Sequence, residues 1–223
     1  MNKLRLISRL DIKSPNLVKG RQFEGLRQIG DPNVFAVKYY EDGIDEIFYE
    51  DIVASLYERN SLVDIIKKTS ENIFVPLTVS GGLRTLEDVS SVLKAGADKV
   101  AINTAAIKNP NFISEVSNKF GSQCMVLSIQ AKKRQQGWEA FYDNGREMSN
   151  LDVIEWAIKG EKNGAGEIIL TSVDNDGMGN GFDIELVKSV TNEVKIPVIV
   201  SGGMGKLSDV SNIIKTTNID AVA

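Results

Sequence analysis

Apolar residues along this chain come in short, β-branched runs that alternate with longer segments of helical period. The runs are RLISRLDI, DEIFYEDI, FVPLTVSG, DKVAINTA, CMVLSIQA, EIILTSVD, IPVIVSGG and IDAVA, and they predict eight strands. Between them, SLVDIIKKTSENI, LEDVSSVLKAG, NFISEVSNKFG, LDVIEWAIKGEKNG and IELVKSVTNEV place apolar side chains at helical spacing. Several end in glycine, which favours a helix C-terminus. Strands that are apolar on both faces and alternate with helices predict a parallel sheet.

The pattern is doubled. VSGGLRTLEDVSSVLKAG from position 79 recurs as VSGGMGKLSDVSNIIKTT from position 200, an offset of 121 residues. GIDEIF at 43–48 and GAGEII at 164–169 keep that offset, and LDIK at 10–13 faces IQAK at 129–132. Two such halves close most simply into a (β/α)8 TIM barrel, whose reactive groups sit at the C-terminal ends of the strands. An open doubly wound sheet leaves the doubling unexplained. Residues 1–223 are therefore expected to form one barrel domain built from two half-barrel repeats. Ala223 falls inside the eighth predicted strand, so the expectation is a barrel truncated in strand eight, without its closing C-terminal helix, from a partial reading frame. The position 121 residues after Asn103 lies one residue past Ala223.

Composition narrows the chemistry. The net charge is −4, with 26 basic against 30 acidic residues, so nothing attracts a phosphate backbone and nucleic acid is not an expected partner. The single cysteine, Cys124, lies in an apolar run and reads as a small core hydrophobe in a reduced cytoplasm. Charges at positions 3, 5 and 9 interrupt any signal peptide, and no run approaches the ~18 apolar residues of a membrane span. The expected location is cytoplasmic, with no membrane association. Histidine is absent, which removes the commonest general base and most zinc sites. No metal or organic cofactor is expected.

Asp11 follows the run LISRL and is either a loop carboxylate paired with Lys13 or a catalytic group; its place at a strand end favours catalysis. Gln130 is its counterpart in the second half, so the two are expected on opposite sides of one mouth. The two SGG turns, with Gly82 and Gly203, follow strands and precede helices, where close backbone approach and a helix N-terminus suit phosphate. Asn103 and Thr104 could complete the first cradle, and Asp176 and Gly177 the second. At the other strand ends stand Arg5, Glu46, Lys99 and Glu167, either a salt-bridged plug or a gate. The segment 132–148 predicts a hairpin that extends strand five, with Asp143-Asn144-Gly145 as its turn signal. Lys19 lies in a long loop, and such loops over a barrel mouth tend to be lids.

From residue 3 onward the chain resembles HisF, the cyclase subunit family of imidazole glycerol phosphate synthase. The resemblance is carried by RLDIK, VKGRQFEGLRQIGDP, ADKVAINTAA, KFGSQ, GAGEIILTSVDNDG and IPVIVSGGMGK. It implies a HisH-like glutaminase partner at the N-terminal face, ammonia passing through the barrel, and a bisphosphorylated ribulosyl ribonucleotide as substrate. It also implies Asp11 as an acid-base residue, Lys19 as the lid lysine, glycine-rich loops on two phosphates, Arg5, Glu46, Lys99 and Glu167 as gate residues, and Asp98 as a docking residue. One departure stands out: the family's second catalytic aspartate is Gln130 here, and an amide cannot trade a proton near neutrality. Two other functions are therefore carried forward. One is a HisF-like subunit that amidates a surface-polysaccharide sugar; the other is a non-catalytic ammonia conduit that activates its glutaminase.

Overall fold

A computed structural model describes residues 4–54 and 62–223. Its strands are β1 (Arg5–Lys13), β2 (Asn16–Arg21), β3 (Glu24–Gly30), β4 (Glu46–Asp51), β5 (Leu77–Ser80), β6 (Lys99–Ile102), β7 (Met125–Lys133), β8 (Trp138–Tyr142), β9 (Glu147–Asp152), β10 (Glu167–Ser172), β11 (Val198–Ser201) and β12 (Ala221–Val222). Its helices are α1 (Pro32–Glu41), α2 (Val63–Ser70), α3 (Leu86–Lys94), α4 (Thr104–Lys108), α5 (Asn111–Phe120), α6 (Val153–Lys162), α7 (Ile184–Thr191) and α8 (Leu207–Thr216). Lys3, where the family resemblance begins, and Ser61, the start of the helix expected at 61–73, lie outside the described residues.

The eight parallel strands run in the order β1-β4-β5-β6-β7-β10-β11-β12, and β12 pairs with β1 to close the ring. The molecule is a (β/α)8 barrel, as the doubled pattern predicts. β12 contributes only two residues, yet Ala221 and Val222 pair both with Arg5 and Leu6 of β1 and with Ile199 and Val200 of β11. Strand alternation sorts the core in two. Outward positions such as Ile12, Ile47, Val79, Leu127 and Leu170 pack under the helices, whereas Ile7, Phe48, Ala101, Val126, Ile169, Ile199 and Ala221 form a separate apolar layer inside the ring.

Local chemistry fixes the helix starts. Thr85 and Asp88 form a reciprocal capping box on α3, and Asp31, Asp152 and Asp183 cap α1, α6 and α7 with their carboxylates. The predicted extension of strand five is present as the antiparallel meander β7-β8-β9, with Asp143, Asn144 and Gly145 all at positive φ in its second turn. The segment expected as a long loop around Lys19 is instead a hairpin. Val18 and Leu17 are buried on β2, β2 pairs antiparallel with β3, and Gln22 and Phe23 turn the chain at φ 50 and 65. The apolar alternation in NLVKGR is short, and a lone positive-φ turn without Asn-Gly chemistry hid it.

Candidate active site

The barrel axis can be followed from one end to the other. At the N-terminal ends of the strands Arg5, Glu46, Lys99 and Glu167 form a closed ring of alternating charge. Arg5 Nη1 donates to Glu46 Oε2 at 3.1 Å and Arg5 Nη2 to Glu167, while Lys99 Nζ bridges Glu46 Oε2 at 2.9 Å and Glu167 Oε2 at 3.0 Å. Thr78 adds a hydroxyl to Glu46 at 2.6 Å. Beside the ring, Asp98 accepts the Leu77 amide at 2.8 Å, so this exposed carboxylate also secures the start of β5. Above the ring lies the inner apolar layer.

The next inward position on β1 after Ile7 is Arg9, and sequence reasoning passed over it. Its guanidinium is buried, with 5% side-chain exposure. Nε donates to Asp11 at 3.1 Å, Nη1 to the hydroxyls of Thr171 and Ser201 at 3.2 Å each, and Nη2 lies 3.8 Å from Glu50. Phe23 of the β2-β3 turn covers it, with its ring centre 5.5 Å away. Burial opposes the charge, but Asp11, Glu50 and Asp176 outweigh it and hold the guanidinium more basic than usual.

Asp11 is therefore doubly engaged, by Arg9 and by Lys19 Nζ at 3.0 Å, rather than paired with its neighbour Lys13. Lys19 also stands 3.8 Å from Asp176, so the hairpin lysine ties β1 to the loop after β10. Asp11 pairs in register with Val18 and Glu50, well inside the sheet. Gln130 sits on β7, four strands around the ring in either direction, which places the two diametrically apart as the repeat predicts.

A cavity of about 110 Å³ opens at this mouth. Gly82, Asn103 and Thr104, the residues expected of one cradle, line it together with Gln130, and Arg84 and Lys108 add positive charge at its edge. Asp11 is not among its walls; the carboxyls there are Glu50 and Asp51. Gly81 and Gly202 sit at matching places in the two halves. A Cβ on Gly81 would lie 2.3 Å from the Asp51 carbonyl oxygen, and one on Gly202 2.6 Å from that of Ser172, so both turns need glycine. The second predicted cradle is built from packed loops. Gly203 accepts the Gly181 amide, Gly177 lies against Gly20 of the hairpin, and the Asp176 carboxylate faces Lys19.

The comparisons with known proteins agree with this architecture. The histidine biosynthesis protein family matches residues 5–223. A Legionella pneumophila protein named imidazole glycerol phosphate synthase subunit HisF is 59% identical over 210 residues, covering 94% of this chain and 99% of that relative. The chain belongs to the HisF family. Proteins of the same name from Dehalococcoides mccartyi and Bifidobacterium adolescentis are 44% identical over 222 residues and 48% over 212. These alignments cover 100% and 92% of this chain, and 87% and 83% of the respective relatives.

On this HisF-family barrel, Gln130 is buried on β7 with the same inward parity as Val126 of the inner apolar layer. Glu50 is the mouth residue that the sequence reading missed. It is buried, accepts a hydrogen bond from Ser80 Oγ at 3.1 Å, and burial pushes its carboxyl up against the pull of Arg9, with Asp11 pushing the same way. Its signal was available: Glu50 shares strand parity with Glu46, as Arg9 does with Arg5. Among the described residues, no helix is long and apolar enough to cross a membrane.

Proposed function

We propose that this chain is the cyclase subunit of imidazole glycerol phosphate synthase in histidine biosynthesis. In this reading it takes ammonia released by a HisH-like glutaminase subunit and converts a ribulosyl formimino-carboxamide ribonucleotide to imidazole glycerol phosphate and an aminoimidazole carboxamide ribonucleotide. The observation that carries the reading is the mouth cavity, where a glycine turn, Asn103-Thr104 and two cations meet Gln130 at a HisF-family strand end. Gly82, Asn103 and Thr104 take one phosphate of the substrate; Asp176, Gly177 and Gly203 border the other. Lys19 answers for the lid, Asp11 for acid-base chemistry, and Gln130 orients a bound carbonyl or hydroxyl. Arg5, Glu46, Lys99 and Glu167 gate ammonia entering from a partner docked near Asp98. The single thiol and the acidic net charge support a cytoplasmic enzyme.

The amide at position 130 favours a second reading, in which the same barrel delivers ammonia to another acceptor, a surface-polysaccharide sugar. Both are tested by turnover of the ribulosyl ribonucleotide with an ammonium salt, comparing the natural chain with Gln130→Asp and Asp11→Asn. The expected result is slow conversion, raised by Gln130→Asp within the ~10²- to 10⁴-fold range of general acid-base assistance and lost in Asp11→Asn. No conversion by any form, with amidation of a sugar acid instead, would transfer the assignment to the second reading.

A further inference from the structure

The mouth cavity has an unmet demand. Three buried acceptor atoms, Gln130 Oε1, Asn103 Oδ1 and Asn144 Oδ1, have no hydrogen-bond partner among the described residues, and all three residues line this one cavity. The orientation of Asn103 is settled, because its Nδ2 donates to the Phe141 carbonyl at 3.0 Å. An orphaned buried acceptor costs roughly 1–3 kcal/mol, so the inner end of the cavity calls for a ligand that presents N–H or O–H groups. Its outer edge, with the glycine turn, Arg84 and Lys108, suits an anion.

Such a ligand needs a group that can exchange a proton, and most titratable neighbours are committed elsewhere. Asp51 Oδ1 accepts the amides of Val53 and Ala54. Lys108 lies 3.6 Å from Asp143. Asp11 is held by Arg9 and Lys19 outside the cavity wall. Glu50 remains, on the wall, with one hydroxyl donor and an arginine behind it.

We propose that Glu50 is a second proton-transfer residue beside Asp11, serving the cavity side of the mouth, with Arg9 as the positioning residue that holds its conjugate base and with Gln130, Asn103 and Asn144 as acceptors for the donor groups of the ligand. The proposal rests on the reading of the barrel as an ammonia-using synthase. Ammonia forms an N–C bond to a carbonyl carbon and a proton passes from nitrogen to oxygen, giving a carbinolamine. The Glu50 O–H bond then breaks, its proton goes to the carbinolamine hydroxyl, the C–O bond breaks and water leaves. The resulting iminium nitrogen returns one proton to the Glu50 carboxylate. The net change is ammonia plus carbonyl to imine plus water, with Glu50 restored. The charged groups facing Glu50 are Arg9 and Asp11 from β1 and Asp51 from its own strand, and Ser80 from β5 supplies the hydroxyl.

The test uses the whole chain, the ribulosyl ribonucleotide and an ammonium salt at fixed free ammonia. Glu50→Gln keeps the size and the Ser80 contact; it should lower kcat by ~10²- to 10⁴-fold with KM changed only a few-fold, and Glu50→Asp should recover part of the loss. The acid form works, so kcat of the natural chain should fall as pH rises through the Glu50 titration, and Glu50→Gln should lack that limb. A kcat within threefold of the natural chain, or an unchanged pH limb, overturns the assignment and leaves the synthase reading standing. No turnover by the natural chain overturns both. If Glu50→Gln does not fold, the infrared difference spectrum between the natural chain and Glu50→Asp decides. A protonated carboxyl band at neutral pH supports the proposal, and its absence ends it.

Discussion

Replacing Arg9 by methionine removes a buried cation of similar length from between two carboxyls. Breaking a buried charge pair from one side costs about 3–5 kcal/mol, because the partner is left uncompensated. Here the loss is tempered on one side and sharpened on the other. Asp11 keeps Lys19 at 3.0 Å, whereas Glu50 loses a cation that draws its carboxyl down. Thr171 and Ser201 lose a donor, but their hydroxyls rotate freely. Arg9→Met should therefore cost about 3–5 kcal/mol near pH 8. At ~2–4 °C per kcal/mol for a chain of this size, Tm falls by roughly 6–20 °C.

The pH dependence gives the sharper test. Glu50 has its folded carboxyl raised above the unfolded value, so the folded state holds a proton that the unfolded chain has lost, and stability falls as pH rises through that window. Below the ordinary glutamate range of about 4.3 the contribution is fully present. Without Arg9 the folded carboxyl rises further and the window widens upward. The penalty of Arg9→Met should thus be smallest near pH 4.5 and grow towards pH 8, followed by calorimetry or circular dichroism on both proteins. Glu50→Leu added to Arg9→Met should recover most of the loss, since a buried pair exchanged for apolar side chains is often neutral. A cost below about 1 kcal/mol at pH 8, or one equal at the two pH values, would refute the coupling of Arg9 to Glu50.

Two further outcomes follow from geometry. Gly81→Ala puts a Cβ 2.3 Å from the Asp51 carbonyl oxygen at φ +97, so about 1–2 kcal/mol of backbone cost and about 1–3 of overpacking should together lower Tm by several degrees. The same assay on Gly43→Ala, whose added Cβ would meet nothing within 4 Å, should show the backbone cost alone. Lys99→Met leaves Arg5 bonded to both glutamates, so it should cost only about 1–2 kcal/mol in denaturant unfolding, well below the Arg9 change.

The barrel was legible because its evidence is periodic and doubled: eight apolar runs, helical spacing between them, and an offset that repeats the SGG turns. The grouping of Gly82, Asn103 and Thr104 at one cavity and the ion-paired ring of Arg5, Glu46, Lys99 and Glu167 were legible for the same reason. The hairpin at Lys19 was not, because two strands of six and seven residues with one buried pair carry little periodicity. Nor was the engagement of Asp11. Arg9 and Glu50 look like ordinary strand-flanking charges until parity places them inside the ring, and only closure of the barrel brings them within reach of each other.

The mouth is also electrically lopsided. In its upper inward positions the first half-barrel carries Arg9, Asp11 and Glu50, while the second offers Ser128, Gln130, Thr171 and Ser201, none of which ionises. Duplication left two walls of one shape, and divergence made the inward strand positions of one a reservoir of charge and those of the other a dipolar surface, with Asp176 on its loop the carboxylate that answers Lys19. A molecule entering along the axis meets a fixed polarity across its width, and so has one preferred way round.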